Sequence, residues 1–164
     1  MGHSKVVASL LIAALSLSCA SLRWSLQKAF REEGIENESF PEEVWEEYDC
    51  ETQKRPFFII EKNELVPPKV KGGSDFNHRM VYVMCPVRAT AVVAGRLSTR
   101  IRFKGATIVE NIDEAYEIKP GRWVVDAFVD IPEDAEPGVY AYEVEFSGKG
   151  LAFDKSLTFL VKER

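Results

Sequence analysis

Of the two histidines in the chain, His3 and His78, only His78 lies beyond the apolar N-terminal segment. It has Ser74, Asp75 and Asn77 as near neighbours, residue types that can serve as nucleophile, orienter and hydrogen-bond partner. Hydrolytic chemistry of that kind needs nucleophile, base and orienter held in one geometry, and no strand–turn–helix nucleophile motif surrounds Ser74. His78 therefore reads as a loop or strand-end residue that donates a hydrogen bond. With Asp75 it supplies two metal ligands, fewer than the three or four that a zinc site uses. Paired carboxylates occur at Glu42/Glu43, Glu46/Glu47 and Glu143/Glu145. Glycoside cleavage requires two acids facing each other across a cleft, whereas adjacent acids on one element form a solvated face. Gly72-Gly73 lacks the Lys-Ser/Thr and helix of a phosphate-binding loop. The expectation is a non-enzymatic chain with no catalytic residue, no metal and no cofactor.

A basic stretch is the more informative chemical feature. Residues 69–104 hold eight bases and one acid, and Arg96, Arg100, Arg102 and Lys104 fall on one parity of an alternating run. The row supports two readings. It can pair with acids on neighbouring strands or on overlying helices, or it can stay open as an anion- or partner-binding face. Arginine suits the second role because its planar fork holds carboxylate or phosphate with two bonds. Salt bridges to Glu42, Glu46 or Glu143 would identify the row as structural.

The chain carries 21 basic and 26 acidic residues for a net charge of -5, with 46% apolar and 29% charged residues. This composition excludes disordered, collagen-like and multispan membrane chains. Its mild acidity speaks against a general nucleic-acid binder. Residues 6–22 carry no charge and are rich in Val, Ala, Leu and Ile, after a single early Lys5. That is the layout of a signal peptide, assigned to residues 1–20. Ser18-Cys19-Ala20 fits cleavage after Ala20. Leu15-Ser16-Leu17-Ser18-Cys19 instead resembles the lipobox of bacterial lipoproteins, although Ser16 stands where that family has Leu. The resemblance implies diacylglycerol on the Cys19 thiol and a membrane-tethered protein. The preferred order is lipoprotein, then simple secretion, then a retained anchor, since 17 uncharged residues fall short of the ~20 that span a bilayer. Removing or lipidating Cys19 leaves Cys50 and Cys85 as an even pair for an oxidising compartment. A bond between them would close a loop of about 35 residues, worth roughly 3–4 kcal/mol. The alternative is two separate thiols.

The elements that must position these groups divide in two. Residues 21–55 read as a helical extension. Leu22, Leu26, Ala29 and Phe30 recur at helical spacing, Gly34 is a stop signal, and Pro41-Glu42-Glu43 opens a second short helix. Residues 56–164 read as about seven strands with turn signals between them, an antiparallel sandwich. Trp24, Trp45 and Tyr48 would pack the helices onto this sandwich. The stretch 79–85 is apolar on both parities, which suits a central strand. Trp123 reads as a core anchor at a strand start, with an exposed carbohydrate platform as the sharper alternative.

Within the strand region, Ile131-Pro132-Glu133-Asp134-Ala135-Glu136-Pro137-Gly138-Val139-Tyr140 resembles the corner between the fifth and sixth strands of immunoglobulin-like domains. The resemblance implies that the Tyr140 hydroxyl bonds back to the backbone of the corner. The antibody Cys…Trp…Cys spacing is missing, so the likeness is to bacterial immunoglobulin-like sandwiches. That fold hosts many roles. The expected protein is an envelope binding or scaffolding module facing the periplasm, with an unidentified envelope protein or anionic polymer as partner. The alternative is an accessory or chaperone-like subunit of a secretion or surface-assembly system, using an exposed sheet edge.

Overall fold

The computed structural model describes Lys28, residues 31–88 and residues 90–163. The expected signal peptide, Cys19 and Trp24 lie outside the described residues, as does most of the first expected helix. The sheets belong to one unit that begins at Glu33. Its strands are β1 (Gly34–Ser39), β2 (Phe57–Val66), β3 (Lys69–Lys71), β4 (Asp75–Cys85), β5 (Val93–Phe103), β6 (Ala106–Ile118), β7 (Gly121–Asp130), β8 (Gly138–Gly148) and β9 (Leu151–Lys162), with one helix, α1 (Pro41–Glu47). One sheet runs β1-β7-β4-β2 and the other β3-β9-β8-β5-β6. All pairings are antiparallel except that of the short β3 with β9.

Alternation builds the core between the sheets. Phe76 on β4 meets Tyr142 and Phe159 from the other sheet, at ring-centroid distances of 5.7 and 4.8 Å. Met80, Tyr82 and Met84 continue that face of β4 into a second cluster with Ile118, Phe146 and Leu151. The opposite face of β4 is buried too, because Val83 and Cys85 lie under Val44 of α1 and under Cys50. The central strand is thus apolar on both parities for a physical reason: a sheet covers one side and a helix the other.

A disulfide joins Cys50 to Cys85, with Cα atoms 5.7 Å apart. It fastens the turn after α1 to the end of β4, on the outer face of its sheet. Trp45 and Tyr48 pack against the same cluster. Arg122 reinforces the attachment with bonds to Glu47 at 2.7 Å and to Glu61 at 2.9 Å, and Tyr48 also bonds to Glu61. Pro41 opens α1, and the Glu43 carboxylate accepts from the Phe40 N–H at 2.9 Å.

Two expectations need correction. The N-terminal extension is not wholly helical, because Gly34–Ser39 pairs with β7 as an edge strand and so belongs to the sandwich. A boundary at residue 56 therefore falls inside the structural unit. Residues 56–164 hold eight described strands against the expected seven or so, and β1 adds a ninth before them. Gly121 shows how β1 fits: its φ is +103°, and a Cβ there would stand 2.6 Å from the Ser39 carbonyl, so only glycine lets the chain pass so closely.

Candidate functional site

The first finding concerns the basic row. Arg100 contacts Glu143 at 3.3 Å and Glu145 at 2.8 Å, and approaches Glu110 at 4.0 Å. Arg102 meets Glu143 at 3.3 Å, Arg96 meets Glu114 at 3.3 Å, and Lys104 meets Glu136 at 2.6 Å. These contacts come from register: Arg100 of β5 stands between Glu110 of β6 and Glu143 of β8. The outer face of this sheet therefore carries acids on β6 (Glu110 and Glu114, with Ile112 between them), bases on β5 and acids on β8. Glu143 is the shared partner of Arg100 and Arg102. Each of the four cations has an acidic partner, on a neighbouring strand for Arg96, Arg100 and Arg102 and on the loop before β8 for Lys104, which favours the structural reading of the row over an open anion- or partner-binding face.

The second finding is a cleft. Sheet alternation turns His78 inward, between Phe76 and Met80 along β4. It is 3% exposed, and its Nε2 donates to Asn63 Oδ1 at 2.7 Å. Its ring packs against Tyr142 of the opposite sheet with centroids 4.9 Å apart. The expectation of a loop or strand-end position is thus incorrect, although the hydrogen bond is present. Burial drives the His78 pKa down to about 4, against a smaller opposing pull from the Asp126 carboxylate. The imidazole is accordingly neutral at physiological pH. Burial likewise pushes the Tyr142 hydroxyl up to about 12, partly offset by a hydrogen bond from Thr99.

These groups form the floor of a cavity of about 520 Å³ between the two sheets. Its walls are mainly apolar, with Met80, Leu97, Ile101, Val125, Val129 and Val144 among them, while Thr99 and Asn111 add polar positions and Glu33, Arg100, Asp126 and Asp130 contribute charged residues to the lining. At the mouth stand Ile35 of β1 and Val109 of β6, 42% and 50% exposed.

Mismatched edges hold the cleft open. β1 pairs with β7 over residues 122–126 and ends its pairing there, while β7 runs on to Asp130. Across the gap, β6 is the last strand of its sheet and pairs with β5 alone among the described residues. Ten consecutive residues of β6, 106–115, are exposed. Val109 and Asn111 oppose Ile101 and Thr99 of β5 and so share the inner face, yet the facing sheet does not reach far enough to cover them.

No hydrolytic constellation assembles around His78 among the described residues. Ser74 Oγ is bound to the backbone of Lys71, at 3.0 Å from its N and 2.7 Å from its O, and serves the turn between β3 and β4. Asp75 does not line the cavity. Among the described residues, no group of three or more His, Cys, Asp or Glu side chains is placed to hold a metal ion. Trp123 packs at the margin of the second core cluster, its Nε1 donates to the Pro120 carbonyl at 2.7 Å, and Lys119 lies 5.0 Å over its ring. That arrangement is an anchor capped by a cation. Composition and periodicity do not reveal the cleft, because it arises from unequal strand lengths in different sheets. The one available signal was the acidic, poorly alternating run of residues 106–118.

No protein-family model and no curated protein matches the sequence. Solved structures show weak likenesses. The Bacillus subtilis sporulation control protein Spo0M matches with a TM-score of 0.43 and 16% identity, over 66% of this chain and 49% of that one. The Pseudomonas fluorescens alkylpurine DNA glycosylase AlkC, bound to DNA containing an abasic site analog, matches with 0.46 and 13%, over 65% and 30%. A family 123 glycoside hydrolase from Clostridium perfringens matches with 0.39 and 16%, over 57% and 22%. The chain spans about half the length of the first of these and less of the others. At such scores none carries an argument about activity.

Proposed function

We propose that the chain is an exported, non-enzymatic binding module of immunoglobulin-like build, lipid-anchored through Cys19 to a bacterial envelope, whose binding element is the open side of the sandwich. The observation that carries this reading is the cleft itself. It is a ligand-sized apolar cavity with a few inward polar groups, flanked by a long strand edge that no other described strand occupies. Monomeric proteins cover or blunt long strand edges because these recruit other chains. A 13-residue edge beside an apolar cleft suits a protein that recruits one on purpose.

Three further features support the setting. The Cys50–Cys85 disulfide suits an oxidising compartment. The uncharged N-terminal run suits export. The immunoglobulin-like build is supported by the Tyr140 hydroxyl, which donates to the Glu136 carbonyl at 2.8 Å, the bond expected of a tyrosine corner. The disulfide departs from the antibody arrangement, since it lies under α1 rather than between the sheets. A second reading, an accessory or chaperone-like subunit of a surface-assembly system, is favoured by the same free edge, because strand addition is how such proteins grip their clients.

A photocrosslinking side chain in place of Val109, in full-length protein expressed in its native envelope, tests the module. A discrete adduct at Val109, absent when the same group replaces exposed Val87, is expected. Equal labelling at both positions, or none at either, would overturn the assignment of this side as the binding element.

A further inference from the structure

The charge ladder and the cleft together specify what the open edge of β6 would accept. We infer that the occupant is an extended peptide segment of a partner protein in which apolar residues alternate with lysine or arginine, added as a further strand on β6. This inference rests on the module reading and names its ligand class.

The backbone comes first. An edge strand leaves alternate N–H and C=O groups without a ladder partner, and an added strand satisfies them. β6 extends for 13 residues, and among the described residues no strand pairs with its second edge, beside the exposed stretch 106–115. A peptide paired there has two faces with different surroundings, because side chains alternate across a strand.

Its inner face would lie over the mouth of the cavity, against Ile35, Val109 and Val129. Those walls are apolar, and the histidine on the floor is neutral because burial disfavours its charged form. Apolar side chains therefore suit the inner positions. The outer face would continue the ladder. From β8 to β5 to β6 the columns run acidic, basic, acidic: Glu143 and Glu145, then Arg96, Arg100 and Arg102, then Glu110 and Glu114. The outer face of β6 carries Glu110, Glu114 and Glu117 with Ile112 among them, Asp113 opposes Leu97 on the inner face, and β6 holds no base. A strand beside an acidic column gains from opposite charge and loses from like charge. Lysine or arginine is therefore preferred at the outer positions. The same acids disfavour a second copy of this chain, since a β6–β6 pair sets carboxylates against carboxylates.

The test uses the full-length mature protein and three synthetic nine-residue peptides. One alternates valine with lysine, one alternates valine with glutamate, and one alternates serine with lysine. Binding is read by fluorescence anisotropy and located by amide hydrogen exchange. The valine–lysine peptide should bind best and should slow exchange within residues 106–118. The double variant Glu114→Lys/Glu117→Lys should weaken that peptide by about tenfold and strengthen the valine–glutamate peptide. A reversal of preference cannot come from misfolding. The single variant Val109→Asp should weaken valine–lysine binding while leaving the charge preference intact. Equal affinity for valine–lysine and valine–glutamate peptides would overturn the inference. So would protection of the cavity lining without protection of β6, which would point to a compact apolar ligand. An adduct at Val109 in the envelope, combined with no binding of the valine–lysine peptide, would refute the ligand class and leave the module reading standing.

Discussion

His78 shows how a single buried group can couple this fold to pH. Its ring faces Tyr142, its Nε2 bonds to Asn63, and the Asp126 carboxylate lies near enough to pull its pKa upward while itself gripped by Arg79 at 2.6 Å. Burial outweighs that pull, so the folded pKa is about 4 against 6.5 for the free side chain. The unfolded chain then binds more protons than the folded one between those values, and stability rises with pH across the window. Acidification from about pH 6.5 to 4 should cost up to about 3 kcal/mol from this site. Denaturant titrations of the wild type and of His78→Gln at several pH values check this: the variant should have the flatter pH profile over the window. A second residue-level prediction concerns Tyr140. Its hydroxyl closes the corner on Glu136, and Tyr140→Phe should cost about 1 kcal/mol, seen as a lower urea midpoint with an unchanged slope. The bond from Tyr140 back to the backbone was legible in the sequence, because its signal is local. The sequence misplaced His78, because the pattern of a mostly apolar strand does not reveal which of its polar residues faces inward.

At the scale of elements, the central strand and the edges behave differently. β4 is covered by the opposite sheet on one side and by α1 on the other, and its apolar residues on both parities announced this in advance. The short helix was also legible, since Pro41 and the adjoining acids are a local start signal. β1 was not, because Gly34–Ser39 holds Glu36, Asn37 and Glu38 and becomes a strand only by pairing with β7. Only residues 107–112 of β6 read as a strand from sequence, while the strand itself runs from Ala106 to Ile118. Its acids suit a free edge, and it does not keep one parity: Val109 and Asn111 face inward before residues 114–115, while Tyr116 and buried Ile118 do so after. The change accompanies a register shift between Gly95 and Leu97 on β5, where the Ala115 N–H also bonds to Asp113. Two predictions belong to this scale. Amide exchange in the purified protein should be fastest among the strands at the open edge of β6 and slowest in β4. Replacing Cys50 and Cys85 together with serine should cost roughly 3–4 kcal/mol by chain entropy, read from chemical denaturation, and should loosen α1 before the sheets.

For the whole molecule, the net charge of -5 arises largely from charges that cancel by contact. The acids of β6 and β8 become neighbours of Arg96, Arg100 and Arg102 on β5, so that part of the basic middle is neutralised within one sheet. What remains unsatisfied is geometric: among the described residues, one side of the sandwich lacks the strand that would close it. Pattern analysis could not show this, because an unfilled position in a sheet is a property of two edges brought together by the fold. At this scale the lipid anchor is also testable. Intact mass of the mature chain from native membranes should show a chain starting at Cys19 with an attached diacylglycerol, and a start at Ser21 would instead indicate simple secretion. The central claim is that this open side is where the protein meets its partner. Its most direct test compares hydrogen exchange of the mature protein, purified and then returned to its native envelope fraction. Slower exchange in the envelope, confined to residues 106–118 and 127–130, is the predicted result. Unchanged exchange at those residues, with protection elsewhere or nowhere, would contradict the account.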